Sequence, residues 1–167
     1  MMIDARVLAQ AEELLAASRA AGVRIATAES CTGGLIAATL TAIAGSSDVV
    51  DRGFVTYSNQ AKTAMLGVPA GLIASVGAVS EAVARRMAEG ALTRSSAQLA
   101  IAVTGIAGPG GGSPDKPVGL VWFGLARTGR FTASLRHVFP GDRQAVRAAT
   151  VAEALLLLRA AIGPEPG

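Results

Sequence analysis

The sequence predicts a single-domain α/β/α sandwich with a mixed, mostly parallel sheet and an antiparallel hairpin. Short strand-like runs at residues 24–27 and 99–103 alternate with segments whose apolar residues repeat at helical spacing. Two further strand-like runs, residues 118–126 and 131–139, are joined by a short polar connection. The composition, 51% hydrophobic with 20 glycines and only 4% aromatic residues, is typical of a close-packed α/β protein.

The first half of the chain contains two predicted strands and two predicted helices. A helix over residues 4–21 begins with the cap Asp4 and ends at Gly22. Residues 24–27 then form a buried strand, which a helix over residues 35–43 follows. The next strand covers residues 49–57.

The second half alternates in the same way. Residues 58–67 form a short helix capped by Ser58 or Asn59, and Ser80 caps the helix after it. After the strand at residues 99–103 and the hairpin, a last helix over residues 144–162 ends at Gly163 and Pro164.

Length and residue usage define a broad class. A chain of 167 residues is predicted to form one domain over residues 1–167, in which about 68 to 70 per cent of the unfolded surface is buried. The single Cys31 excludes an internal disulfide, and together with one histidine it leaves too few ligands for a zinc site. The amino-terminal residues do not resemble a leader, and no apolar run is long enough to span a membrane. We therefore expect a soluble, cytoplasmic protein with no membrane partner.

The charge distribution does not favour nucleic acid as the main partner. The net charge is +3, but the arginines are scattered and no basic run forms a track. The few aromatic residues lie inside apolar strand patterns, where they are not available for base stacking. Only Lys62 and Lys116 are lysines, so only these two basic side chains can readily lose their charge.

The segment AESCTGG, residues 28–34, is predicted to be a strand-to-helix turn around which the site is built. Ser30 would stand at the carboxyl edge of the sheet, where the positive end of a helix favours an anion or a developing oxyanion. Gly33 and Gly34 would let a ligand approach the backbone closely. The alternative is a plain turn in which Ser30 or Thr32 caps the helix.

Lys62 is predicted to lie in the first turn of the short helix, the unfavourable end of the helix dipole for a cation. The same field lowers the pKa of a lysine, as a general base requires. The alternative is a solvated surface lysine.

A glycine-rich loop follows the strand at residues 99–103 and contains Gly105, Gly108, Gly110 and Gly111. The loop matches neither a Walker A motif nor a dinucleotide fingerprint. Its backbone N–H groups could still bind a phosphate, and a flexible connection is the alternative.

Two arginines open the last helix. Arg143 and Arg147 lie four residues apart on one face and could clamp a phosphate or a carboxylate, although solvated surface charge explains them equally well. His137 lies within a strand, and no acid is paired with it by spacing, so we interpret it as a structural residue.

Four motifs in this order resemble the CinA carboxy-terminal domain family, over about residues 24–150. They are TAESCTGG at residues 27–34, VTYSNQAK at 55–62, GAVSE at 77–81, and TGIAGPGGG followed by KPVG at 104–119. The resemblance implies a single α/β domain with a mixed sheet that commonly self-associates, without metal or organic cofactor.

Stand-alone members of this family include nicotinamide-mononucleotide amidohydrolases. The resemblance therefore implies hydrolysis of the carboxamide of nicotinamide mononucleotide to nicotinate mononucleotide and ammonia. Such an acyl transfer needs a nucleophile, a base and oxyanion donors. We assign these roles to Ser30 as nucleophile and Lys62 as base, with Tyr57 to relay or orient and Thr104 as a second polar side chain. Cys31 is the rival nucleophile.

The other site predictions concern the backbone and the phosphate. Backbone N–H groups near residues 32–34 or 104–105 would bind the oxyanion, and Glu29 is assigned to local structure only. The glycine-rich loop at residues 108–112, with Arg143 or Arg147, would hold the 5′-phosphate.

Two other functions stay open at this point. The chain could be a nucleotide-binding module that keeps the pocket but lacks catalysis. It could instead assist competence or DNA-damage machinery, in which case it should bind DNA in a strongly salt-dependent way.

Overall fold

The strands form one twisted layer between helices in a computed structural model that describes residues 2–163. The five strands are β1 (Ile25–Glu29), β2 (Val50–Val55), β3 (Leu99–Gly105), β4 (Leu120–Arg127) and β5 (Ala133–Val138). The helices are α1 (Ala5–Ala21), α2 (Leu35–Thr41), α3 (Asn59–Leu66), α4 (Ala70–Val76), α5 (Glu81–Thr93) and α6 (Arg143–Ile162). None of these helices is both long enough and apolar enough to cross a membrane.

The sheet has the order β2-β1-β3-β4-β5. Strand β1 pairs in parallel with β2 and with β3, whereas β4 is antiparallel to both of its neighbours. The predicted mixed sheet with an antiparallel hairpin is therefore confirmed. The connection after β1 leads to β2 on one side of it, and the connection after β2 leads to β3 on the other side. The topological switch point therefore lies between the carboxyl ends of β1 and β3.

The two faces of the sheet bury different side chains. On one face, Ile25 of β1 and the large odd-numbered residues of β3 pack with α1, α2 and α6. On the other face, Ala26 and Ala28 of β1 and the alanines of β3 pack with α3, α4 and α5. This alternation follows from the strand period of two, and it produces the predicted α/β/α sandwich.

Glycines let α5 approach its neighbours closely. A Cβ atom at Gly124 of β4 would lie 2.2 Å from the carbonyl oxygen of Ala84 in α5. A Cβ atom at Gly90 of α5 would lie 2.0 Å from the carbonyl oxygen of Leu66, the last residue of α3. Backbone is therefore packed against backbone at both contacts, which fixes α3 on the layer that α5 forms.

The predicted helix ends are largely confirmed. The side chains of Asp4 and Ser58 accept hydrogen bonds from the first turns of α1 and α3. Ser80 caps α5 in the same way, and Gly22 ends α1 with a φ of 66°. The last helix begins at Arg143, with Asp142 as its cap, one residue before the predicted start.

Several elements differ from prediction. Helix α2 ends at Thr41 rather than at residue 43, and β2 is shorter than the predicted strand. Helix α4 was not predicted because seven residues give too little periodicity. The Nε2 atom of His137 lies 3.3 Å from Glu153 on α6, an acid that spacing along the strand could not indicate. The ring of His137 stacks on Phe139, which agrees with a structural role.

Substitution of Gly90 by alanine tests the contact between α3 and α5. Helix propensity alone would make Gly90→Ala stabilising by up to about 1 kcal/mol. The overlap with the Leu66 carbonyl should reverse the sign, and we expect a loss of about 1 to 3 kcal/mol in the free energy of unfolding, measured by urea denaturation.

Gly71→Ala in α4 is the matched control. No atom lies within 4 Å of a Cβ built at Gly71, so propensity should dominate there and the variant should be as stable as the parent or more stable. Equal stabilisation of both variants would contradict the close packing described here.

Candidate active site

The ends of three strands and the first turns of α3 surround one pocket. Ser30 follows β1, Thr56 follows β2, and Thr104 lies near the end of β3, so the parallel arrangement brings all three to one edge of the sheet. The pocket has a volume of about 190 Å³. Its lining residues are Ser30, Cys31, Tyr57, Asn59, Lys62, Ala78, Val79, Thr104, Gly105, Ala107 and Arg143.

Ser30 and Lys62 meet inside this pocket. The Nζ atom of Lys62 lies 2.8 Å from the Oγ atom of Ser30, and it donates a second hydrogen bond of 2.8 Å to the carbonyl oxygen of Thr56. Lys62 is only 1% exposed and Ser30 is 9% exposed. The structure thus brings together the two side chains that the sequence assigned as base and nucleophile, although they are 32 residues apart in the chain.

Burial lowers the pKa of Lys62 to about 8, because the charged ammonium is poorly solvated inside the protein. No carboxylate in residues 2–163 forms an ion pair with this lysine to oppose the effect. The sequence analysis predicted a lowered pKa for Lys62 because of the helix dipole, whereas burial is its main cause. The alternative of a solvated surface lysine is wrong.

The side chain of Glu29, the last residue of β1, reaches the amino-terminal end of α2. Its carboxylate accepts hydrogen bonds from the backbone N–H groups of Ile36 and Ala37, at 2.8 and 3.0 Å. The anion at this helix end is therefore the carboxylate of Glu29, and the N–H groups of Ile36 and Ala37 are not free to bind a substrate oxyanion. Neither Ser30 nor Thr32 caps the helix, since Gly34 is the cap residue and no side chain of its own is available.

The turn leaves few backbone donors for an oxyanion. The N–H group of Gly33 donates to the Ser30 carbonyl at 3.1 Å, and that of Leu35 donates to Thr32. Among the described residues of the turn, the N–H groups of Cys31, Thr32 and Gly34 donate to no backbone carbonyl. The backbone of Gly33 and Gly34 has φ values of 60° and 103°, which explains why glycine is needed at both positions.

Cys31 faces the core that α1, α2 and α6 form. Burial raises the pKa of its thiol to about 11, so the reactive thiolate is scarce near neutral pH. The geometry therefore favours Ser30 over Cys31 as a nucleophile.

Thr104 and Tyr57 both line the pocket but differ in exposure. The hydroxyl of Thr104 is buried and donates to the carbonyl oxygen of Ala78 at 2.9 Å, which fixes the wall formed by Ala78 and Val79. Because its hydrogen is used in this bond, Thr104 is placed to shape the wall rather than to donate to a substrate. Tyr57 is 61% exposed at the pocket mouth, and its hydroxyl accepts a hydrogen bond from Arg143 at 2.9 Å.

The two arginines of α6 have different surroundings. Arg147 donates to the carbonyl oxygens of Cys31 and Thr32, at 3.1 Å each, and so holds the turn that contains Ser30. Arg143 is exposed and donates to the Gly108 carbonyl at 3.1 Å. Both arginines line a second pocket of about 590 Å³, and Arg143 lines the Ser30 pocket as well. Of the two arginines, Arg147 is bonded to the turn, whereas Arg143 lines both pockets, as Ala107 does.

The glycine-rich loop is only partly at the site. Gly105 lines the Ser30 pocket, and Gly108 contributes its carbonyl to Arg143. Gly110 and Gly111 are exposed and line neither of these two pockets. At the other end of the loop, Lys116 donates to the carbonyl of Val76 at the end of α4, at 2.7 Å.

Sequence reasoning missed several contributors. Asn59, Ala78 and Val79 line the pocket, and the Thr56 carbonyl binds Lys62. The available signal was their position inside the motifs at residues 55–62 and 77–81, which we interpreted as a helix cap and as scaffold.

A sequence profile for the CinA C-terminal domain matches residues 8–162. The nicotinamide-nucleotide amidohydrolase PncC of Escherichia coli strain K12 is 48% identical over 157 residues, which make up 94% of this chain and 95% of that protein. A CinA-like protein from Akkermansia muciniphila is 51% identical over 144 residues, or 86% of this chain, but this chain spans only 35% of that longer relative.

Solved structures agree with the sequence relatives. The crystal structure of the competence/damage inducible protein CihA from Agrobacterium tumefaciens superposes with a TM-score of 0.94 at 47% identity, covering 98% of this chain and 99% of that one. A CinA superfamily protein from Escherichia coli gives a TM-score of 0.81 at 36% identity, with 95% and 94% of the two chains covered. The predicted resemblance is confirmed, and the chain belongs to the CinA C-terminal domain family.

Proposed function

We propose that this protein hydrolyses the carboxamide of nicotinamide mononucleotide, giving nicotinate mononucleotide and ammonia. The observation that supports it best is the buried 2.8 Å contact between Lys62 Nζ and Ser30 Oγ at the wall of a pocket. The name of the E. coli relative, a nicotinamide-nucleotide amidohydrolase that this chain matches over 95% of its length, supports this substrate class.

The first half of the proposed reaction makes an acyl-enzyme. The neutral amine of Lys62 takes the hydroxyl proton as Ser30 Oγ attacks the carboxamide carbon. The oxyanion of the tetrahedral intermediate is stabilised by backbone N–H groups of the turn, for which Cys31, Thr32 and Gly34 are the candidates. The protonated Lys62 then returns its proton to the leaving nitrogen, ammonia departs, and an ester to Ser30 remains.

The second half regenerates the enzyme. A water molecule attacks the ester while Lys62 takes one of its protons. The second tetrahedral intermediate expels Ser30 Oγ, which recovers its proton from Lys62, and the carboxylic acid product gives its proton to solvent and leaves as the carboxylate. Each step uses only water and groups of the chain, as in the Ser-Lys variants of the serine triad.

The two pockets fit the two parts of the substrate. The pyridine carboxamide would enter the 190 Å³ pocket, and the ribose phosphate would extend into the adjoining 590 Å³ pocket. Arg143 lies at the junction and is exposed, so we assign it to the 5′-phosphate. Arg147 supports the turn instead, because its guanidinium is already bonded to two carbonyl groups.

A cytoplasmic location and self-association stay predictions from the sequence and its resemblance. The two rival functions, a non-catalytic nucleotide module and a competence or DNA-damage module, are separated from this proposal by ammonia release. Saturable nucleotide binding without ammonia would favour the first, and strongly salt-dependent DNA binding would favour the second.

Ser30→Ala is expected to abolish ammonia release from nicotinamide mononucleotide while binding of the nucleotide survives. The hydroxyl is the attacking group, and its removal leaves the pocket walls in place. Ammonia release and calorimetric titration of the nucleotide, measured on the same preparations, check both halves of this prediction. A Ser30→Ala protein that turns over at the parent rate would eliminate the serine mechanism.

Lys62→Ala is expected to lower kcat by roughly 10²- to 10⁴-fold, the range usual for loss of a general base. Lys62→Arg should be similarly inactive, because a guanidinium does not deprotonate in proteins. Lys116→Ala is the control, since the chain's other lysine contacts the end of α4 and lines neither pocket. Full activity of Lys62→Arg would show that deprotonation is irrelevant.

The pH dependence of kcat/KM follows from the pKa of Lys62, about 8. The base must be neutral in the free enzyme, so activity should fall by about tenfold per pH unit below this value and level off above it. Ammonia release between pH 6 and pH 10 would show the limb. A profile that is flat through pH 8 would contradict the assignment of Lys62 as the base.

A further inference from the structure

We propose that Glu29, the residue before the nucleophile, is a positioning residue for both Ser30 and Lys62. This inference rests on the proposed function, which it deepens. A closed set of contacts joins the turn after β1 to the segment after β2.

The side chain of Glu29 fixes the turn that contains Ser30. Glu29 is 0% exposed. Its Oε1 atom accepts hydrogen bonds from the Thr32 hydroxyl at 2.6 Å and from the N–H of Ile36 at 2.8 Å, and its Oε2 atom accepts from the N–H of Ala37 at 3.0 Å. One carboxylate therefore holds both the middle of the turn and the start of α2, and Ser30 lies in the chain between Glu29 and its first donor, Thr32.

The three donors also hold the carboxylate in place. No arginine, lysine or histidine in residues 2–163 forms an ion pair with Glu29. An unpaired buried charge is costly, so the carboxylate depends on these donors and on the positive end of α2. Any shift of the turn that broke the bonds would leave the charge unsatisfied, which makes the turn rigid.

The backbone of Glu29 extends the same control to the base. The carbonyl oxygen of Glu29 accepts from the N–H of Thr56 at 2.8 Å, and the carbonyl oxygen of Thr56 accepts from Lys62 Nζ at 2.8 Å. Lys62 in turn contacts Ser30, which is covalently joined to Glu29. The contacts thus form a closed ring of four residues in which Glu29 fixes both reacting side chains.

The Glu29 carboxylate positions Ser30 and Lys62 without contacting the amine of Lys62. Its two carboxylate oxygens are occupied by Thr32, Ile36 and Ala37, and neither one contacts Lys62. A carboxylate in contact with the amine would favour the ammonium form, which cannot accept the proton of Ser30. Because the Glu29 carboxylate binds the first turn of α2, it can position Ser30 and Lys62 without stabilising the charged form of the Lys62 amine.

Glu29→Gln tests the proposal with almost no change of shape. The NH₂ group of the glutamine would replace one of the two carboxylate oxygens. It would then face either the N–H of Ala37 or the hydroxyl of Thr32 and the N–H of Ile36, so at least one hydrogen bond would be lost. We expect kcat for ammonia release to fall by roughly 10²-fold, the cost typical of misplacing a reacting group by about 1 Å. KM should change little, and the acidic limb of the pH profile should stay near pH 8 because Lys62 keeps its surroundings.

Labelling of Ser30 by a fluorophosphonate provides a readout that does not need the natural substrate. Its rate should fall in Glu29→Gln by a factor similar to that for kcat, since it depends on the same Ser30–Lys62 geometry. If the parent protein releases no ammonia, the proposed function fails, while the labelling rates still test the role of Glu29.

Glu81→Gln is the matched control. The Glu81 carboxylate also accepts side-chain hydrogen bonds, from Arg85 and Ser134, but Glu81 is exposed and does not line the Ser30 pocket. Its kcat and labelling rate should equal those of the parent. If Glu29→Gln does not fold, Thr32→Val removes a single bond to the carboxylate and should lower both rates by about tenfold.

Two results would overturn the proposal. The first is a folded Glu29→Gln protein, or a folded Thr32→Val protein where Glu29→Gln does not fold, with kcat and labelling rate within twofold of the parent. The second is an acidic limb displaced to lower pH by Glu29→Gln, because loss of a nearby negative charge lowers a lysine pKa. That displacement would mean that Glu29 acts on Lys62 through its charge and not through position.

Discussion

The site depends on one physical constraint, the burial of the Lys62 amine without a carboxylate partner. Inside the protein the ammonium loses most of its hydration, and the pKa falls to about 8. The only polar atoms that Lys62 Nζ contacts in the described chain are the Ser30 hydroxyl oxygen and the Thr56 carbonyl oxygen. A neutral amine next to a hydroxyl is able to act as a base, and the fold provides both the depth and the two acceptors.

The fold supplies this depth through its strand order. In a 2-1-3 arrangement, the ends of β1 and β3 diverge toward opposite connections and open a crevice between them. Small side chains on one face of the sheet, among them Ala26 and Ala28, let α5 approach closely, and α3 packs on α5 through Gly90. The first turns of α3 are therefore brought over the crevice, and Lys62 extends from them to Ser30. Close backbone packing between Gly90 and Leu66 thus helps to set the position of Lys62 relative to Ser30.

Much of this could be predicted from the sequence, and the limits have physical causes. The strand, the glycine turn and the helix around Ser30 follow from local patterns, since Gly33 and Gly34 require a positive φ. The position of Lys62 in a helical turn can also be predicted locally. Its burial depends on α5 and on the sheet, which are distant in the chain, so the sequence analysis named the helix dipole and not burial as the main cause of its lowered pKa. Helix α4 is too short to show a period, and the contact of His137 with Glu153 joins elements that are distant along the chain.

The arginines Arg143 and Arg147 show why spacing alone cannot assign roles. Four residues apart on one helix, they have the same charge and nearly the same direction, and the sequence treated them as equivalent. The tertiary structure separates them by depth: Arg147 meets the carbonyls of Cys31 and Thr32, whereas Arg143 stays at the surface beside Tyr57. The deeper guanidinium offsets the negative ends of the carbonyl groups in the very turn where an oxyanion would form. One arginine is thus part of the structure of the turn, and the other lies exposed where it lines both pockets.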